Sequence, residues 1–183
     1  EKIHLVGHSY GGTISDHLAM TAPKLIKSLT LIEPMLGWLL DPEKDSKCYG
    51  ELLSVAEYFW EQYSVGKVEV GIKRYFDYWN GNGAWASLEK ELRKYVLDGA
   101  EKNFYEFEAI FDEGKGLLRP KNFRQPVLLI GGAVSQPPPL RILEILEDQF
   151  PNVRRHLIDG GTHMSPITHS AQVNSLINNF LST

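Results

Sequence analysis

One pentapeptide constrains this chain more than any other feature: Gly7-His8-Ser9-Tyr10-Gly11, set between an apolar run and a helical one. Residues 3–6 (Ile-His-Leu-Val) end abruptly at Gly7 and read as a buried strand. The stretch that follows reads as a helix to about Ala22, where Pro23 stops it. Residues 28–33 (Ser-Leu-Thr-Leu-Ile-Glu) form a second strand, closed by Pro34. Strand, helix and strand at this spacing predict a parallel crossover unit and an α/β chain.

The pentapeptide fits G-x-S-x-G, whose chemistry depends on its setting. Ser9 falls in a tight strand-to-helix turn, and small residues two positions to either side are expected to let backbones approach closely. Such a turn pushes the hydroxyl into the open and aims the amide of the next residue, Tyr10, at the place where an oxyanion would form. The helix N-terminus adds partial positive charge there. A serine hydroxyl needs a base before it becomes a nucleophile. Of six histidines, His163 is the candidate, because it follows a strand end and a Gly-Gly turn near the C-terminus. Loops of that kind gather at the carboxyl edge of a parallel sheet, where Ser9 also lies. His4, His8, His17, His156 and His169 are assigned ordinary structural places in or beside strands and helices.

Residues 41–121 change character. Apolar side chains recur at helical spacing: Leu52, Val55, Ala56 and Phe59; Val68, Ile72, Tyr75, Phe76 and Trp79; Trp85, Leu88, Leu92 and Tyr95; Phe104, Phe107 and Phe111. Fifteen of the twenty aromatic residues lie between 49 and 111, so this block is built differently from its flanks. It reads as a small helical bundle, and equally as a lid whose aromatics line an apolar pocket. The parallel pattern then resumes with a strand at 126–132, a helix at 139–149 and a strand at 153–158. An Asp159-Gly160-Gly161-Thr162-His163 loop and a final helix at 169–181 follow.

The order of these pieces resembles the α/β-hydrolase fold: elbow, helix, strand, helical cap, strand, helix, strand, Gly-Gly-Thr-His-Met and a closing helix. The resemblance implies an α/β-hydrolase-like parallel sheet, of which this chain holds the last four strands, with a helical cap insertion. Residues 1–40 would carry the nucleophile elbow, 41–121 the cap, and 122–183 the catalytic-histidine loop. It further implies a serine hydrolase acting on a small ester, thioester or related acyl substrate. Ser9 would be the nucleophile and His163 the base. Within the cap, residues 75–85 (Tyr-Phe-Asp-Tyr-Trp-Asn-Gly-Asn-Gly-Ala-Trp) look like a stretch shared by a subgroup of bacterial hydrolases, which fixes no substrate.

Two departures from the family's pattern shape the expectation. The loop where the family normally places its acid, Gly131-Gly132-Ala133-Val134-Ser135-Gln136-Pro137, has no carboxylate. Some members take the acid from the end of the preceding strand, the place held here by Glu33; the alternative is that Glu33 is a strand-end carboxylate held by loop amides. Asp159 shares the histidine's loop and is expected to turn it. The second departure is that the strands and oxyanion loop that precede the elbow in the family are not in this sequence. The chain, opening on Glu1-Lys2, is therefore expected to be a fragment of a longer hydrolase, inactive alone and associating through the bare edge of its first strand as a homodimer or aggregate. The competing reading is a non-catalytic binding scaffold with an incomplete triad.

Composition narrows the remaining classes. Nineteen Lys and Arg against 23 Asp and Glu give a net charge of −4, which argues against nucleic acid as a partner. No apolar run is long enough to span a bilayer, and a single cysteine, Cys48, fits a reducing, cytoplasmic setting. No metal or cofactor is expected: paired cysteines and H-E-x-x-H are absent, and Thr13 stands where a phosphate-binding loop needs lysine. Related dehalogenases and epoxide hydrolases use an aspartate at the elbow, and Ser9 speaks against them.

Overall fold

The computed structural model describes residues 1–112 and 123–182. Four strands form one parallel sheet whose spatial order follows the chain: β1 (Ile3–His8), β2 (Ile26–Ile32), β3 (Val127–Gly132) and β4 (Val153–Ile158). Parallel neighbours need crossovers, and α1 (Tyr10–Thr21) supplies the first. Strand β2 starts two residues before the expected position. A single 3₁₀ turn, Pro23–Leu25, delivers the chain directly into the sheet, and Ile26 pairs with Ile3.

Five helices separate β2 from β3: α2 (Ser46–Ser64), α3 (Val68–Asn80), α4 (Ala84–Ser87), α5 (Lys90–Asp98) and α6 (Ala100–Asp112). The expected cap boundary at 121 lies outside the described residues. Phe59, fully buried, is a hub, with Tyr63, Tyr75 and Phe107 rings 5.6–6.4 Å away. Sequence spacing predicts one helix through Trp85, Leu88, Leu92 and Tyr95, but the backbone is extended at Leu88 (ψ 142°) and divides it. The break rephases the second piece, so Leu92 and Tyr95 are exposed rather than packed.

The third crossover, from β3 to β4, is α7 (Pro137–Gln149), which begins on the prolines because their fixed φ suits a first helical turn. After β4 come α8 (Ser165–Thr168), a single turn outside the expected elements, and α9 (Ser170–Leu181), the final helix expected at 169–181. Alternation along the central strands sorts the core. Leu29, Leu31, Val127 and Leu129 join Ile142, Leu143 and Leu146 of α7, whereas Leu128 and Ile130 join Val173 and Phe180 of α9. Each such fully buried Leu or Ile contributes roughly 1.5–3 kcal/mol. No described helix is long and apolar enough to cross a membrane.

Candidate active site

Ser9 is the first residue past β1, and its amide still bonds across the sheet to the Ile32 carbonyl (3.0 Å). The backbone then turns to φ 54°, ψ −126°, a conformation that costs about 1–3 kcal/mol outside glycine. Its carbonyl holds the turn by accepting from the amides of Gly12 (2.9 Å), Thr13 (3.1 Å) and Met35 (3.3 Å). The close approaches are not at the two motif glycines alike. A Cβ on Gly7 would lie 2.4 Å from the Gly11 carbonyl oxygen, and one on Gly12 would strike Pro34 at 2.8 Å, while one on Gly11 would meet nothing. Gly7 and Gly12 therefore make the turn possible, and Gly11 does not.

His163 reaches Ser9 because two loops touch backbone to backbone. A Cβ on Gly132 would sit 2.3 Å from the Gly161 carbonyl, and Val134 donates to that carbonyl at 3.0 Å. Asp159, expected to turn the loop, does so with Gly160: the Gly161 amide bonds the Ile158 carbonyl (2.9 Å) across them, and Gly160 takes the left-handed position (φ 67°). His163 Nε2 lies 3.0 Å from Ser9 Oγ, and Nδ1 lies 2.8 Å from Glu33 Oε2. A carboxylate only accepts, so Nδ1 carries the hydrogen and Nε2 accepts from the Ser9 hydroxyl. Glu33 and His163 are 1% and 3% exposed, which makes the pairing a buried one.

Glu33 is held at its other oxygen. Oε1 accepts from the Gly132 amide (2.7 Å) and the Ser135 hydroxyl (2.5 Å). The loop without a carboxylate thus supplies two donors to the carboxylate of the neighbouring strand end. Nothing local in the sequence marks Ser135, because its role depends on a carboxylate 102 residues away.

Two further side chains press on the imidazole. His8, assigned an ordinary structural place by sequence, donates from Nε2 to the His163 carbonyl (2.8 Å), with ring centroids 4.9 Å apart. Burial, reinforced by the neighbouring His163, pushes His8 down to about 4, so it is neutral near pH 7. Trp79 of α3 places its ring 4.2 Å from that of His163. Its helical spacing marked it as core, and nothing in that pattern distinguishes a core tryptophan from one against a histidine.

A small inner pocket opens from Ser9 and is walled by Tyr10, Met35, Tyr75, Trp79, Phe107 and Ile110, with Asn103 and Glu106. A wider outer cleft, bordered by α5 and α8, meets it at Ser9. Tyr10 opens α1 and sits half-buried against the apolar core. Cys48 is half-buried on α2, outside both spaces, and burial raises its thiol above the usual range. Among the described residues no group of three or more His, Cys, Asp or Glu is arranged to hold a metal ion.

Residues 1–63 match the alpha/beta hydrolase fold family. Among curated proteins none matches the sequence. Solved structures similar to this chain include MenH from S. aureus (18% identity, TM-score 0.66, covering 100% of this chain and 68% of that one). A thermophilic esterase is similar at 18% identity and TM-score 0.64, over 99% of this chain and 66% of that one. The 2-hydroxy-6-oxo-6-phenylhexa-2,4-dienoate hydrolase of Rhodococcus sp. strain RHA1 is similar at 16% identity and TM-score 0.68, over 100% of this chain and 65% of that one. The chain thus spans about two thirds of the length of these structures. With its strand–turn–helix at Ser9, the helices between β2 and β3 and the loop after β4, it has the α/β-hydrolase fold.

Proposed function

We propose that this chain carries the nucleophile, base and acid of a serine hydrolase acting on a small ester, thioester or related acyl substrate. One observation carries the reading: the continuous buried relay from Ser9 Oγ through both ring nitrogens of His163 to Glu33. In this reading His163 Nε2 takes the Ser9 proton as Oγ attacks the acyl carbonyl. The Nδ1 hydrogen stays on the ring, and the Glu33 carboxylate stabilises the imidazolium that forms. The Tyr10 amide, at the N-terminus of α1, would donate to the oxyanion. His163 then returns the proton to the leaving group, and water reverses the sequence on the acyl-Ser9 ester. The apolar walls of the inner pocket suit a short acyl chain.

The relay also weighs against a non-catalytic scaffold, since such a scaffold has no need of a buried carboxylate against the imidazole. A serine-directed phosphonate applied to the full-length protein should label Ser9 with one-to-one stoichiometry, and Ser9→Ala should abolish both labelling and hydrolysis of a short p-nitrophenyl ester. His163→Ala should do nearly the same, because members of such a unit are not additive. A Ser9→Ala protein with undiminished turnover would remove the assignment.

A further inference from the structure

Asn103 lies on α6. Four side chains border both the inner pocket and the outer cleft: Ser9, Tyr75, Trp79 and Asn103. Asn103 therefore stands where the two spaces meet at the nucleophile. Asn103 as a whole is only 8% exposed, but its carboxamide is not among the sealed, unpartnered side-chain groups; it borders both spaces, and no hydrogen bond ties it to another described residue. Its backbone amide is spent on the Gly99 carbonyl (3.3 Å). Most other buried polar side chains are bonded: Thr13 to the Met35 carbonyl, Ser28 to His4, Ser165 to the Thr162 carbonyl. Thr30 Oγ1 is buried without a partner, but it sits within the sheet and borders neither space. Asparagine is a poor helix former, and a carboxamide that faces the site without a bond to the protein is available to a ligand.

The chemistry of the ligand follows from the neighbours. A carboxamide offers one acceptor and two donor hydrogens, which a hydroxyl or keto oxygen can satisfy. Glu106 borders the inner pocket beside it, and its charge, although paired with Lys102 at 2.6 Å, disfavours an anionic substituent. Because Asn103 and Ser9 share the junction, the polar atom must lie close to the scissile carbonyl rather than at the far end of the acyl chain. We propose that Asn103 is a specificity-determining residue that binds a neutral hydroxyl or keto oxygen near the scissile carbonyl. The preferred substrates are then short oxygenated acyl esters rather than plain alkanoyl esters. This rests on the serine-hydrolase reading of the same site.

The test compares p-nitrophenyl 3-hydroxybutyrate with p-nitrophenyl butyrate in the full-length protein. The ratio of their kcat/KM values should be about tenfold or more in favour of the hydroxylated ester, as expected for a site whose polar group is left unpaired by the plain one. Asn103→Leu should bring the ratio close to one, and Asn103→Ala, too small to clash, should do the same. In a Ser9→Ala background, where no turnover is expected, the hydroxylated ester should bind about tenfold tighter than butyrate only while Asn103 is present. That arm reads Asn103 whatever nucleophile the protein uses, so it separates failure of this proposal from failure of the Ser9 assignment. A ratio near one in the unaltered protein would overturn the proposal. So would a ratio that survives both substitutions, or an equal loss on the two esters.

Discussion

Ser9 and Glu33 share a backbone device: each is the first residue past its strand, and each turns to positive φ there, 54° and 40°. Among the described residues no other non-glycine residue does so. Both continue the sheet ladder by one bond before turning, Ser9 to the Ile32 carbonyl and Glu33 to the Ile130 carbonyl, each at 3.0 Å. A residue held in this way cannot follow the strand's alternation, and its side chain leaves at the carboxyl edge of the sheet. The two strained residues then meet the same imidazole from opposite nitrogens. Backbone strain of this kind persists only where surrounding bonds over-determine it, and it concentrates at functional sites.

That arrangement makes Glu33→Gln informative. The glutamine keeps an oxygen for the Gly132 amide and the Ser135 hydroxyl, so the fold should survive with little change in Tm. Its amide nitrogen, however, would face His163 Nδ1 and favour the wrong tautomer. Turnover should fall on the order of 10⁴, the cost of removing an orienting carboxylate while leaving geometry intact. Ser135→Ala, which removes one of two donors to Oε1, should cost far less. A Glu33→Gln loss below about tenfold would make Glu33 a structural carboxylate.

The glycines of the turn should separate cleanly. Gly7→Ala drives a methyl into a backbone oxygen that cannot yield and should destabilise the fold by about 1–3 kcal/mol. Gly12→Ala meets Pro34 and should behave similarly. Gly11→Ala points into open space within α1 and should be neutral or stabilising by up to about 1 kcal/mol. Denaturant midpoints of the three variants decide the matter, and equal losses at positions 7 and 11 would contradict the packing described.

His8 gives the fold a defined acid sensitivity. Its folded value is lowered from 6.5 to about 4, chiefly by burial and then by His163, while Glu33 opposes the shift. Above pH 6.5 both folded and unfolded states hold a neutral imidazole, and His8 adds no pH dependence. Between 6.5 and 4 the unfolded chain binds the extra proton, so stability falls as pH falls, by at most about 3 kcal/mol. His8→Gln keeps a donor for the His163 carbonyl but cannot titrate. Its stability should therefore decline less than that of the unaltered protein over the same window, as urea midpoints at pH 7 and pH 5 would report.

How much of this was legible follows the range of the interactions. The strands β1 to β4 could be read because each is a short apolar run closed by glycine, proline or a turn. Ser9, Glu33 and His163 could be nominated because each sits at or just beyond such an end. Ser135, His8, Trp79 and Asn103 carry no local signal. Ser135 lies 102 residues from Glu33, and His8 lies 155 residues from the carbonyl it binds. The break at Leu88 was hidden because the apolar spacing is continuous across it, although the backbone is not.

The remaining expectation concerns the edge of the sheet. Among the described residues β1 pairs only with β2, and its Ile3 and Val6 are 46% and 44% exposed. Beside it on α1, Ile14 is 56% exposed. In parallel sheets the strands are normally covered on both faces, and unpaired apolar edges template association. Expressed as these 183 residues, the chain should form dimers or larger species through β1, visible by light scattering, rather than a monodisperse monomer. Val6→Lys places a charge on an exposed position of that strand and should shift the population toward monomer without disturbing β2, whose side chains are buried except Lys27. If Val6→Lys associates as strongly as the parent, β1 is not the contact; if the parent is itself a cooperatively melting monomer, this edge is stable as it stands.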